Sequence, residues 1–189
     1  MQYDSVVLAA GYSSRAGSDK MALTIGNRTI LERVIDTLGG ICGKIVVVGG
    51  HHQESTAEIL KKYPNVTMVI NKDYDSGMFS SVKRGVSEMN NDFFLVPGDY
   101  PLIKQETYKK LMECTGDMVV PVYKERKGHP VLIRQSLIKG ILSEPIDSNL
   151  KVFRDRQKVE YIEVDDEGIL WDVDTQEDLY EIRKKAEGR

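Results

Sequence analysis

The run KIVVVGG, Lys44–Gly50, constrains the fold more than any other stretch of the chain. Its β-branched residues leave no polar face, and a strand that is apolar on both sides belongs inside a parallel sheet covered by helices. The flanking segments have the matching rhythm. YDSVVLAA (3–10) reads as a strand, and TILERVIDTLGG as a helix opened by a capping box of Thr29 with Glu32 and stopped by glycines. STAEILKKY opens a second helix with Ser55 and Glu58 in the same relation. NVTMVIN is a third strand, and MFSSVKRGVSEM is a helix with Phe79, Val82 and Val86 on one stripe. DFFLVPGDYP is a strand that ends in a turn. Repeated βαβ units of this kind predict a parallel sheet with helices on both faces.

After residue 115 the strands follow one another more closely. DMVVPVY, HPVLI, VEYIEV and ILWDV are strand patterns; a short helix and a terminal helix from Thr175 accompany them. That spacing predicts a mixed sheet. With no linker, repeat or low-complexity tract, residues 1–189 read as a single domain. A chain of this length buries roughly 70% of its unfolded surface.

The formal charge of −3 gives no basis for a nucleic-acid partner, so any anion site must be a local feature. No run approaches the ~20 apolar residues needed to cross a bilayer, and no basic-then-apolar leader opens the chain. A cytoplasmic protein is expected. Cys42 and Cys114 form no CxxC pair and read as buried free thiols, which fits a reducing compartment and argues against zinc.

Open α/β sheets bind ligands at the carboxyl ends of their strands. That rule selects the loops after Leu8, Ile70, Val96 and Val173. The first carries LAAGYSSRAGSDK, residues 8–20. It is neither a Walker A loop nor GxGxxG. Small residues behind a buried strand, with Arg15 and Lys20 beyond them, are either a loop with two solvated cations or a triphosphate cradle. In the second reading the Ala10 and Gly11 N–H groups face phosphate. Asp99, in VPGDYP, is either an Asx turn or a magnesium ligand at a strand end. LWDVDTQEDL supplies a second carboxylate, Asp174, with Asp172 two residues back and able to assist. Thr175 with Asp178 is a helix N-cap pair, which leaves Glu177 and Asp178 to capping. Asn71 and Gly77 suit a loop, while Ser80 and Ser81 either cap a helix or read the polar edge of a base. His129, beside Pro130 after a basic loop, has no Ser or Cys nucleophile around it and is expected to shape an acceptor pocket.

Taken together, these residues resemble the GT-A-type nucleotidyltransferases. LAAGYSSRAGSDK is similar to the LAAGxSxRMGxxK signature, GDYP to GDMP, GHPVLI to the GHP motif and DVDTQEDL to DIDTPEDL. With NKDYDSGMFSSVKRG between them, the likeness spans nearly the whole chain in order. It is nearest the molybdenum cofactor cytidylyltransferases of the MobA/MocA-like group, because guanylyl relatives usually carry LAGG and lack the GHP strand.

The resemblance implies an α/β three-layer sandwich with a mixed, mostly parallel sheet of about seven strands, of the nucleotide-diphospho-sugar transferase type. It implies a Mg²⁺-dependent transfer of CMP from CTP to the phosphate of a molybdopterin-type acceptor. Leu8, Ala9, Ala10, Gly11 and Asn71 would lie against the nucleotide and Ser81 against cytosine. Arg15 and Lys20 would act on the phosphates, Asp99 and Asp174 would bind metal, and His129 and Pro130 would border the acceptor. The implied partners are these small molecules, with room for a molybdoenzyme or chaperone but no nucleic acid or membrane, and the chain is expected to act as a monomer. Ala16, Tyr100 and Gln176 replace the usual Met, Met and Pro. PIDSNLKVFRDRQ lacks the Gly/Asp-rich motif of many relatives in a segment expected to border the acceptor. The alternatives are another phosphorylated acceptor, such as a sugar or polyol phosphate, use of GTP, or a non-catalytic holder of the cofactor.

Overall fold

The computed structural model describes residues 3–12 and 19–187. β1 (Asp4–Ala9) is followed, beyond the first loop, by a small hairpin of β2 (Thr24–Ile25) and β3 (Arg28–Thr29). α1 (Ile30–Leu38) starts with the predicted capping box: Glu32 N–H donates to Thr29 Oγ1 at 3.1 Å, and Thr29 N–H donates to Glu32 Oε2 at 2.6 Å. β4 (Lys44–Gly49), α2 (Gln53–Leu60) and β5 (Val66–Ile70) complete the first βαβ run. Ser55 does not cap α2. The chain turns so tightly out of β4, with Gln53 N–H donating to Gly50 O, that the helix begins at Gln53 and Ser55 falls in its first turn.

α3 (Met78–Val86), β6 (Phe93–Pro97), α4 (Gln105–Met112), β7 (Met118–Tyr123), β8 (Arg126–Lys127) and β9 (Val131–Ile133) follow. α5 (Ile138–Ser143), α6 (Leu150–Arg154), β10 (Val159–Glu163) and α7 (Gln176–Glu187) end the described chain. The main sheet runs β10-β7-β9-β6-β1-β4-β5, with β8 paired to β7. β1 is parallel to β4 and β6, β4 to β5, and β10 to β7, while β9 runs antiparallel between β6 and β7. The predicted mixed, mostly parallel sheet is present.

Strand alternation divides the core into two layers. Val7, Ile45, Val47, Phe94 and Val96 face α1, α2 and α4; Val6, Val46, Val48, Phe93 and Leu95 face α3, α5 and α6. Each such side chain, fully buried, contributes about 1.5–3 kcal/mol, so a slip of one residue in register would reverse both layers. α7 and the β2–β3 hairpin add a smaller cluster of Ile25, Ile30, Val173, Leu179 and Ile182. Gly85 is required for the close approach of α3: a Cβ there would lie 2.2 Å from Val6 Cγ1. With α3 seated on β1, Ser81, one turn earlier, comes to the carboxyl end of β1.

The predicted strand ILWDV does not form. Residues 167–170 make a 3-10 turn capped by Asp166, whose carboxylate also accepts from Thr107 Oγ1 and Lys104 N–H, both at 2.8 Å. This buried polar anchor overrides an alternation that fits a strand locally. Both cysteines are free, Cys114 buried and Cys42 only half-buried. No helix among the described residues is long and apolar enough to cross a membrane.

Candidate active site

β1 connects outward to β4 and then β5, whereas β6 lies on its other side. The chain therefore changes winding direction between β1 and β6, and the crevice beyond their carboxyl ends is the ligand position such sheets provide. A cleft of about 540 Å³ opens there. Leu8, Ala10 and Gly11 line it from the first loop, Lys20 from the turn that follows, Ser81 from α3, and Asp99 from the end of β6. Asp172 and Asp174 reach it from the segment before α7.

That segment is tied to the sheet. Val173 N–H donates to Asp99 O at 3.1 Å, which joins the two acidic loops. The Asp178 carboxylate accepts from Asp174 N–H at 3.1 Å and Thr175 N–H at 2.8 Å, so the helix cap predicted from the sequence also fixes the backbone of Asp174. One carboxylate oxygen from each of Asp99, Asp172 and Asp174 lies within 4.8 Å of the others. Lys20 Nζ donates to Asp99 and, at 3.1 Å, to Asp174 Oδ1. Burial pulls the lysine pKa down, but the two carboxylates outweigh it and raise it above its ordinary value. Asp172 is raised by burial and by its neighbours Asp99 and Asp174. Such a concentration of carboxylates at a strand end calls for cationic charge.

Other expected residues stand one step back from the cleft. Asn71 is buried and donates from its amide to Ser80 Oγ at 2.8 Å and Ser81 Oγ at 2.9 Å, so it braces Ser81 from behind. Ala9 packs into the core on the α1 side, and Pro130 is buried behind His129. Arg15 and Ala16 lie outside the described residues. His129 does line the cleft, pinned by its N–H to Ile169 O at 3.1 Å. Burial pushes its imidazole down to about 4 against the opposing pull of Asp99. Its ring meets that of Tyr100 edge-on at 5.0 Å between centroids. The sequence reading missed Tyr12 and Tyr74, whose rings stand 5.5 Å apart on the cleft wall beside His51. Tyr12 sits inside the signature loop itself, at a position where the pattern allows any residue, so no motif marks it.

A switch-point crevice holding carboxylates and a partly buried lysine defines a nucleotide-handling α/β enzyme. Residues 5–160 match the MobA-like NTP transferase domain, and the chain belongs to that family of nucleotidyltransferases. It is 27% identical over 184 residues to the molybdenum cofactor cytidylyltransferase of Escherichia coli, with 96% of each chain covered. It is 30% identical over 194 residues to the nicotine blue oxidoreductase of Paenarthrobacter nicotinovorans, with 94% of each covered. Among solved structures, Rv0371c of Mycobacterium tuberculosis superposes with a TM-score of 0.85 at 21% identity, over 97% of this chain and 98% of that one. A manganese complex of that protein superposes at 0.79 and 19% identity, over 97% and 99%.

Proposed function

We propose that this nucleotidyltransferase moves CMP from CTP to the phosphate of a molybdopterin-type acceptor and releases pyrophosphate. The observation that carries the reading is the convergence of Asp99, Asp172, Asp174 and Lys20 on one crevice. The likeness to the E. coli cytidylyltransferase over nearly the full length of both chains supports the choice of substrates.

The donor set fits Mg²⁺: three carboxylates close enough to share one hard cation, with no sulfur or imidazole among the ligands. Asp99 and Asp174 would hold the ion, with Asp172 beside them. When bound, Mg²⁺ offsets the negative charge of the phosphate oxygens it touches. The chain's own residues position and neutralise. Lys20, with Arg15, balances the charge that develops on the departing pyrophosphate. Ser81, held by Asn71, offers its hydroxyl to the base. An oxygen of the acceptor phosphate bonds to the α-phosphorus as the bond from that phosphorus to the bridging oxygen breaks, and the electron pair leaves on pyrophosphate. The attacking oxygen is already ionised, so the step needs no general base.

The test is pyrophosphate release from purified protein with Mg²⁺ and molybdopterin, offered CTP, GTP or ATP in parallel. Release that depends on acceptor and is largest with CTP is expected. Release with GTP alone overturns the base assignment. No release despite CTP binding returns the chain to a non-catalytic holder or to a sugar or polyol phosphate acceptor.

A further inference from the structure

The cleft of the three carboxylates is charged on one side and aromatic on the other. In the sheet order β6-β1-β4-β5, Asp99 and the loop tied to it lie on the β6 side of β1. A second cleft, of about 510 Å³, adjoins that side; it shares a wall of Tyr100, His129 and Asp172 with the first and is lined by Arg126, Lys127, Lys151 and Arg154. The rings of Tyr12, His51 and Tyr74 arrive from the opposite direction, on the segments that follow β1, β4 and β5. Tyr12 and Tyr74 line the first cleft and not the second.

Tyr12 is fixed from three directions. His52 Nε2 lies 3.1 Å from Tyr12 O, and since a carbonyl only accepts, the imidazole N–H donates and tethers the backbone. The phenol ring packs against the His51 imidazole at 4.8 Å between centroids and meets the Tyr74 ring edge-on at 5.5 Å. His51 is held in turn: its backbone N–H donates to Ala10 O at 3.4 Å, and Gly50 comes so near that a Cβ there would lie 2.6 Å from the same oxygen. For all these contacts, Tyr12 remains 50% exposed. A ring already locked by its neighbours, yet half in water, loses little freedom when another flat ring covers it. Of the parts of a nucleotide, only the base is flat and uncharged; the phosphates belong with Lys20 and the carboxylates. Ser81, in the same cleft, can bond the edge of a base but has no ring to cover its face.

We propose that Tyr12 stacks on the base of the bound nucleotide, with His51 and Tyr74 backing its ring and Ser81 at the edge of the base. Every base has a π-face, so the stack adds affinity without choosing among bases, and the choice falls to edge contacts such as that of Ser81. The inference rests on the nucleotidyl-transfer reading only in taking a nucleoside triphosphate as the ligand. It concerns binding, which is measured without acceptor or turnover.

The test compares wild type, Tyr12→Ala and Tyr12→Phe by calorimetric titration with CTP and, separately, with inorganic tripolyphosphate, both as Mg²⁺ complexes. The His52 tether uses the backbone carbonyl of residue 12, so both variants keep it. Tyr12→Ala should lose about tenfold or more in affinity for CTP and none for tripolyphosphate, while Tyr12→Phe stays close to wild type. Unchanged CTP affinity in Tyr12→Ala overturns the proposal. So does an equal loss for CTP and tripolyphosphate, which would make the ring a support of the loop alone. Wild-type protein that binds CTP no more tightly than tripolyphosphate overturns it as well. The transfer reading fails separately: the expected affinities in a protein that releases no pyrophosphate with any acceptor support the stack and refute the transfer. Pyrophosphate release with the same KM for CTP in wild type and Tyr12→Ala supports the transfer and refutes the stack.

Discussion

The two clefts are neighbours of similar size, yet they are built in opposite ways. The first is acidic, with Asp99, Asp172 and Asp174 around Lys20; the second is basic, with Arg126, Lys127, Lys151 and Arg154 around an apolar floor. An acidic crevice cannot hold a triphosphate without added cations, whereas a basic one holds an anion directly. Under the proposed function, the metal and nucleotide belong to the side that holds the three carboxylates. Tyr100 and His129 line both clefts.

The largest expected effect lies on the acidic side. Asp99→Ala should lower turnover by roughly 10²–10³-fold or more and leave the unfolding midpoint close to wild type. Near-normal turnover would remove the metal assignment and with it half of the contrast. Asn71→Ala tests whether the base end is braced rather than contacted. Loss of its two hydrogen bonds to buried serines should cost about 1–3 kcal/mol of stability, read from denaturant midpoints. The KM for CTP should rise more than that for the acceptor; equal changes would place Asn71 in the fold alone.

The shared wall has a pH signature. In the folded chain, burial holds His129 down to about 4, against 6.5 when free. Between those values the unfolded chain binds a proton that the folded chain does not, so stability falls as pH drops from 6.5 toward 4. The contribution is fully present above that window. His129→Gln should flatten the slope in metal-free protein, measured as unfolding midpoints at pH 7 and pH 4.5. An identical slope in wild type and variant would show that the imidazole is not buried as described. The smallest effect comes from a site remote from both clefts. Thr29→Ala removes the cap of α1 and should cost about 1 kcal/mol with neither KM changed.

The acidic cleft was far more legible in the sequence than the basic one. Its residues sit at the ends of strongly patterned strands, in stretches such as LAAG and GDYP that carry their own turn chemistry. DVDT came with a helix cap, so Asp174 could be placed even though the strand before it does not exist. That strand was misread because ILWDV alternates correctly, while the anchoring of Asp166 by Thr107 and Lys104 is non-local and leaves no periodic trace. The capping box at Thr29 was readable for the opposite reason: both its partners lie within one turn. The basic cleft draws its cations from 126–127 and 151–154, which meet only through the sheet, and no spacing announces such a meeting. The sequence therefore singled out His129 and the 145–157 segment without revealing that they share a cleft with the cations of 126–127. Similarly, Asn71 was expected against the nucleotide and instead stands behind Ser80 and Ser81, because its contacts depend on the position of α3 over β1.

The most direct test of the division between the clefts is a crystal structure of the protein with Mn²⁺ and CTP, with the metal located by anomalous scattering. The account predicts an anomalous peak coordinated by Asp99 and Asp174, the triphosphate reaching Lys20, and no nucleotide in the cleft bounded by Arg126 and Lys151. Nucleotide phosphates seated on Arg126 and Lys151, or a metal away from the three carboxylates, would contradict it.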